Sequence, residues 1–63
     1  MIKNNVKKIR CERGMTQEHI AQAVGVSRQT IISLEKGNYI PSVELALKLA
    51  RFFKTSVEHV FII

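Results

Sequence analysis

A chain of 63 residues fits one domain near the lower size limit for folding alone, burying only about 60% of its unfolded surface, and its single cysteine, Cys11, excludes an intrachain disulfide and a cysteine-based metal cluster as stabilisers. Ten Lys and Arg against five Glu and no Asp leave a formal net charge of +5, which points to an anionic partner, nucleic acid before an acidic membrane surface. Charges break up the N-terminus and every apolar stretch is far shorter than the roughly 20 residues of a membrane span, so no export signal or span is expected and the expected compartment is the cytoplasm.

Three- and four-residue apolar spacings recur throughout, without the two-residue alternation of strands, so the chain reads as all-helical. The first helix is expected from about Lys3 to Arg13, with Ile2, Val6 and Ile9 on one face and Arg13-Gly14 at its end. Thr16 opens a second helix, its hydroxyl placed to accept a first-turn N–H, and Met15 and Ile20 sit at the positions of a hydrophobic staple. Glu18 faces the positive end of the helix dipole. That helix ends at Val24, because Gly25 can take the left-handed conformation.

Ser27 caps a third helix running to about Lys36, with Val26 and Ile31 as its staple and Gly37 as its exit. Pro41-Ser42 introduces a fourth, in which Val43, Ala46, Leu47, Ala50 and Phe53 are expected to form the apolar face. Lys54-Thr55 separates it from a short fifth helix capped by Ser56 and carrying Val57, Val60 and Phe61. Ile62 and Ile63 follow.

Three residues, Gly25, Val26 and Ser27, join the second and third helices. So short a linker forces a steep crossing, the geometry of a helix-turn-helix. Ala21, one turn before Gly25, supplies the small side chain where the backbones approach. Ile20, Val24, Val26, Ile31 and Leu34 then point inward. A plain helical hairpin would not need Ala21, Gly25 and Ser27 together.

The run from Thr16-Gln17-Glu18-His19-Ile20-Ala21 through Gly25-Val26-Ser27-Arg28-Gln29-Thr30-Ile31 to Leu34-Glu35-Lys36-Gly37 resembles the phage-repressor and xenobiotic-response-element family. Pro41 to Ala50 and Ser56-Val57-Glu58 resemble its compact, stand-alone members, so the likeness covers nearly all of the chain. It implies a lambda-repressor-like five-helix bundle over residues 1–63, with the motif at about 16–36 and the third helix entering the DNA major groove. The implied function is that of a bacterial or phage-type transcriptional regulator, by default a repressor.

With Ile31 and Leu34 inward, Arg28, Gln29, Ile32 and Ser33 face outward near the N-terminal half of the third helix, which in this motif meets base edges. Arg28 suits a bidentate contact with guanine and Gln29 one with adenine, while Ser33 can donate or accept. Ile32 has two readings, contact with a thymine methyl or partial packing. The resemblance places Gln17 on the DNA backbone, at a helix N-terminus that favours an anion. Thr16 and Ser27 are caps with a secondary phosphate role. Lys36, Asn38 and Tyr39 are placed to grip the backbone after the recognition helix, although Lys36 and Asn38 also suit an ordinary solvated turn and Tyr39 could pack on the bundle. The resemblance also pairs Arg10 with Glu35 as a structural ion pair; Lys3, Lys7 and Lys8 read as a solvated basic face.

One such domain reads few base pairs, and related regulators double it by two-fold symmetry, so a homodimer on a palindromic operator is expected. Phe61, Ile62 and Ile63 are the expected dimer surface, with a short C-terminal strand pairing either with the partner or with the Ile2 segment; a frayed tail is the bland alternative. Neither cofactor, metal nor small-molecule ligand is expected. Cys11, His19 and His59 form no nucleophile–base or metal-ligand spacing, so an enzyme is not expected. The rival reading is an antitoxin-like or protein-interaction module, against which stands the exposed polar set Arg28, Gln29 and Ser33.

Overall fold

The computed structural model describes residues 3–62. In chain order the elements are β1 (Lys3–Asn4), α1 (Val6–Glu12), α2 (Gln17–Val24), α3 (Arg28–Glu35), α4 (Val43–Phe52), α5 (Val57–Val60) and β2 (Phe61–Ile62).

Four helices begin on a side-chain cap. Thr16 accepts from the His19 N–H, Ser27 from Thr30, Ser42 from Leu45 and Ser56 from His59, each within 3.0–3.1 Å. Each capping residue is extended while the residues after it are helical, which leaves its oxygen beneath the orphan amides of the first turn.

The first helix starts later than its spacing predicts. Lys3 and Asn4 are in β1, because the Asn4 side chain offers a better use of this segment. Its Oδ1 accepts the Val6 N–H at 3.1 Å and starts α1, while its Nδ2 donates to the Leu34 carbonyl at 2.8 Å. Asn5 binds the other end of the chain: its backbone N–H donates to Val60 O and its Nδ2 to His59 O, both at 2.8 Å. With the termini so held, β2 pairs antiparallel with β1, Lys3 opposite Ile62 and Asn4 opposite Phe61. The C-terminal strand therefore pairs within its own chain, with Lys3–Asn4; Ile2 and Ile63 lie outside the described residues.

The core is built from every helix: Val6 and Ile9 of α1, Ile20, Ala21 and Val24 of α2, Ile31 and Leu34 of α3, Leu45, Leu49 and Ala50 of α4, then Phe53 and Val60. Met15, Val26 and Phe61 pack against it half-buried. One expected face is wrong in part, Ala50 and Phe53 being buried as expected and Val43 and Leu47 not. In α4 the core takes Leu45, Leu49, Ala50 and Phe53, whereas Val43 and Leu47 are 77% and 56% exposed. Apolar residues occur almost all round this helix, so spacing permits two stripes; docking against α2 and α5 selects one.

Between α2 and α3 the chain reverses in three residues. Gly25 has φ +76°, and the Val26 N–H donates back to Ala21 O at 2.9 Å, closing α2. Beyond Gly25 and its chain neighbours, no atom lies within 4 Å of where a side chain at this position would begin. The requirement for glycine is thus conformational rather than steric. Gly25→Ala is expected to cost about 1–2 kcal/mol through the left-handed backbone alone, and Gly25→Asn less, as read by the thermal midpoint. Equal midpoints for wild type and Gly25→Ala would contradict this.

Candidate nucleic-acid interface

The side chains that turn α1, α2 and α3 into one rigid unit also define its outer face. Arg10 of α1 donates through Nε to Glu35 Oε2 at 2.7 Å and through Nη2 to Oε1 at 3.1 Å. Its Nη1 donates to Met15 O at 3.1 Å, in the loop before α2. Gln17 of α2 donates through Nε2 to the same Glu35 Oε1 at 3.1 Å. Glu35 closes α3, so one carboxylate gathers three helices. The Arg10 and Glu35 side chains are only 14% and 4% exposed, which sets this fork apart from the exposed Glu44–Lys48 pair of α4. The hydrogen bonds to Glu35 raise the Arg10 pKa above the ordinary arginine value, outweighing the opposing effect of burial.

Beside this fork lies an open cleft between α1, the start of α2 and one face of α3, lined by Lys7, Arg10, Met15, Thr16, Gln17, Glu18, Arg28, Ile32, Glu35 and Lys36. Arg28, Ile32 and Lys36 come from successive turns of α3 and its C-cap, and Gln29 and Ser33 lie one residue further round. Arg28, Gln29 and Lys36 are exposed; Ile32 and Ser33 are half-buried. Behind them Ile31 and Leu34 are fully buried, fixing the rotation of α3. Ile32 is partly packed while its edge faces the cleft.

Other expected site residues are placed differently. The Gln17 side chain is half-buried and its amide nitrogen already serves Glu35, so what α2 offers an anion is its first backbone N–H groups, at Gln17 and Glu18, which have no intrahelical partner. Thr16 and Ser27 are exposed, each with its hydroxyl oxygen engaged as a cap; the Ser27 hydroxyl is also 2.9 Å from that of Thr30. Asn38 and Tyr39 are exposed in the loop after α3, outside the cleft lining. At the C-terminus Phe61 packs against the monomer core and Ile62 is 46% exposed; Ile63 lies outside the described residues.

Lys7 and Glu18 line the cleft as well, whereas sequence alone gives Lys7 a solvated face and Glu18 the helix dipole. The signal for Lys7 was present: it precedes Arg10 by three residues, so a helix that aims Arg10 at Glu35 brings Lys7 to the same cleft. Among the described residues no group of three or more His, Cys or Glu could hold a metal ion. Nor is any helix there long and apolar enough to cross a membrane.

A family model described as helix-turn-helix matches residues 6–60. An uncharacterized HTH-type transcriptional regulator of Methanocaldococcus jannaschii is 51% identical over 61 residues, covering 97% of this chain and 92% of that protein. The cryptic phage CTXphi transcriptional repressor RstR of Vibrio cholerae is 36% identical over 53 residues, 84% of this chain and 48% of that one. Among solved structures, the restriction-modification controller protein C.AhdI of Aeromonas hydrophila superposes with a TM-score of 0.79 at 26% identity, covering 86% of this chain and 82% of that one.

Proposed function

Because the chain belongs to the helix-turn-helix family, of the phage-repressor type, and is a DNA-binding transcriptional regulator, we propose that it works as a repressor, binding a palindromic operator as a homodimer in the cytoplasm. The observation that carries this reading is the outer face of α3. Arg28 and Gln29 project from its first turn over buried Ile31 and Leu34, beside the free N-terminal amides of α2. A helix presented in this way fits the major groove with its N-terminal half against base edges.

Arg28 and Gln29 are the proposed bidentate readers, of guanine and adenine, with Ser33 as a further polar contact and Ile32 meeting a thymine methyl. The α2 N-terminus receives one phosphate through the backbone N–H groups of Gln17 and Glu18, with Thr16 beside them as the cap. Ser27, Asn38 and Tyr39 are proposed as further backbone contacts, and Lys36 as one from within the cleft. Lys7 joins Lys36 as a backbone contact by its place in the cleft. Arg10 and Glu35 position the reading helix and are not proposed to touch bases. No catalytic role and no cofactor are proposed.

Selection of bound sequences from a random duplex pool, followed by titration of the selected site at several salt concentrations, tests the reading. A two-fold symmetric site and a steep loss of affinity with salt are expected. Binding that ignores salt, or no enrichment of any sequence, overturns it. Lys7→Ala should weaken selected and random duplexes alike and lower the logarithmic salt slope by about 0.9, one phosphate's worth. An unchanged slope would remove Lys7 from the interface.

The rival reading, in which a protein is the main partner, is favoured by one feature outside the cleft: the exposed apolar stripe of α4. A protein-binding role predicts that variants of that stripe abolish partner capture while cleft variants do not.

A further inference from the structure

Among the described residues the large exposed apolar side chains are concentrated on one segment. Tyr39, Ile40, Val43 and Leu47 are 41%, 70%, 77% and 56% exposed, running from the loop after α3 into the outer side of α4. Four large apolar side chains exposed on one segment of a chain of this charge call for a cover. Charged residues flank it in a graded order. Glu44 is near the N-terminal end of α4, Lys48 in the middle and Arg51 near the C-terminal end, and together with Leu47 they line a shallow hollow on the surface.

We propose that this face of α4 is the homodimer interface, packed antiparallel against α4 of a second copy about a two-fold axis near Leu47. The proposal rests on the homodimer reading above and assigns its surface. Under two-fold symmetry a contact from residue i to residue j is repeated from j to i. An antiparallel crossing centred near Leu47 sets Glu44 against Arg51 of the partner subunit, and Arg51 against Glu44 of the partner subunit. Lys48 is 3.0 Å from Glu44 on its own helix, an exposed pair that screens its charge in part. The stripe is therefore complementary to itself in charge as well as in its apolar content. A parallel arrangement would instead set like charges against each other.

The expected C-terminal surface competes poorly. Phe61 is drawn into the monomer core and the β2 backbone is paired with β1, which leaves Ile62 as its exposed apolar side chain among the described residues. Position also favours α4. The stripe begins in the loop that leaves the recognition helix, so an interface there fixes the angle between the two copies of α3. A standard interface covers about 800 Å² on each partner, roughly a fifth of the 4285 Å² of this chain. A stripe of this width reaches that only with its flanking charges, so association without DNA is weak and dependent on concentration.

Charge exchange tests the pairing. Glu44→Arg alone gives a chain with two basic ends, and Arg51→Glu alone a chain with two acidic ends. Each is expected to dimerise at least tenfold more weakly than wild type in sedimentation equilibrium without DNA, and an equimolar mixture of the two to recover association as the heterodimer. Melting curves of both variants check that each is folded, and Leu47→Glu should leave a folded monomer. If the mixture associates no better than its components while wild type still dimerises, the α4 assignment is overturned and the homodimer stands. If Ile62→Ser abolishes dimerisation and Leu47→Glu does not, the C-terminal surface takes its place. Wild type binding a symmetric duplex only as independent monomers, at every concentration, overturns both.

Discussion

Replacing Arg10 with alanine is expected to lower the unfolding free energy by about 3 kcal/mol, because it strands the nearly buried carboxylate of Glu35. A domain of this size holds about 3–9 kcal/mol in total, and each kcal/mol moves its midpoint by about 4–8 °C. The variant should therefore be largely unfolded at elevated temperature and should bind no duplex there. The comparison that identifies the cause is Arg10→Met with Glu35→Leu. Removing both charges leaves no unpaired carboxylate, so this pair of changes should recover most of the lost stability, short of the Gln17 and Met15 bonds that go with it. A single-variant midpoint within about 4 °C of wild type would mean that the fork acts as an ordinary surface pair.

The sign of the pH effect follows from the raised Arg10 pKa. Stabilisation from a cation whose folded pKa is raised is complete below its unfolded pKa and is lost only as pH climbs through the folded one. Both lie above the range in which such domains are handled. Mild alkali should therefore leave the contribution of Arg10 intact.

Arg28→Ala should instead leave stability almost untouched, since its side chain is exposed and bonds to nothing in the fold's interior. Its effect is expected in the ratio of specific to random binding. A bidentate arginine–guanine contact discriminates by about 1–3 kcal/mol, or roughly 5- to 150-fold. Loss of one charge from a basic face lowers binding to random duplex much less. Competition between the selected operator and random duplex measures the ratio directly. Equal losses on both would show that Arg28 holds phosphate and reads no base.

These two residues mark how differently parts of the site were written. The outward face of α3 was legible because burial of Ile31 and Leu34 fixes a helix's rotation, and Arg28 and Gln29 follow from 3.6-residue geometry. The caps at Thr16, Ser27 and Ser56 were legible for a similar local reason: a hydroxyl before a helical run has one good acceptor role. Asn4 and Asn5 were not legible. Their partners, Leu34 O and His59 O, are 30 and 54 residues away, and no local pattern encodes such a distance. They turned the expected first turn of α1 into a strand.

α4 gives the sharpest division. Its helical state and its start at Pro41-Ser42 follow from short-range sequence, but its buried face does not. Val43 and Leu47 satisfy the helical apolar period as well as Leu45 and Leu49 do. The choice rests on where α2 and α5 dock, a long-range matter of shape and volume.

By itself the sequence determined that there are five helical segments, where the capped ones begin, and that two of them meet in a three-residue turn with a polar edge outward. Hydrogen bonding within four residues and side-chain periodicity act locally, so they can be read one segment at a time. Only the tertiary structure decided that Gln17 spends its amide on Glu35, that the chain ends pair with each other, and that α4 turns an apolar stripe outward. Each of these depends on groups far apart in the chain competing for one partner or one buried volume, and that competition is settled only when the helices pack.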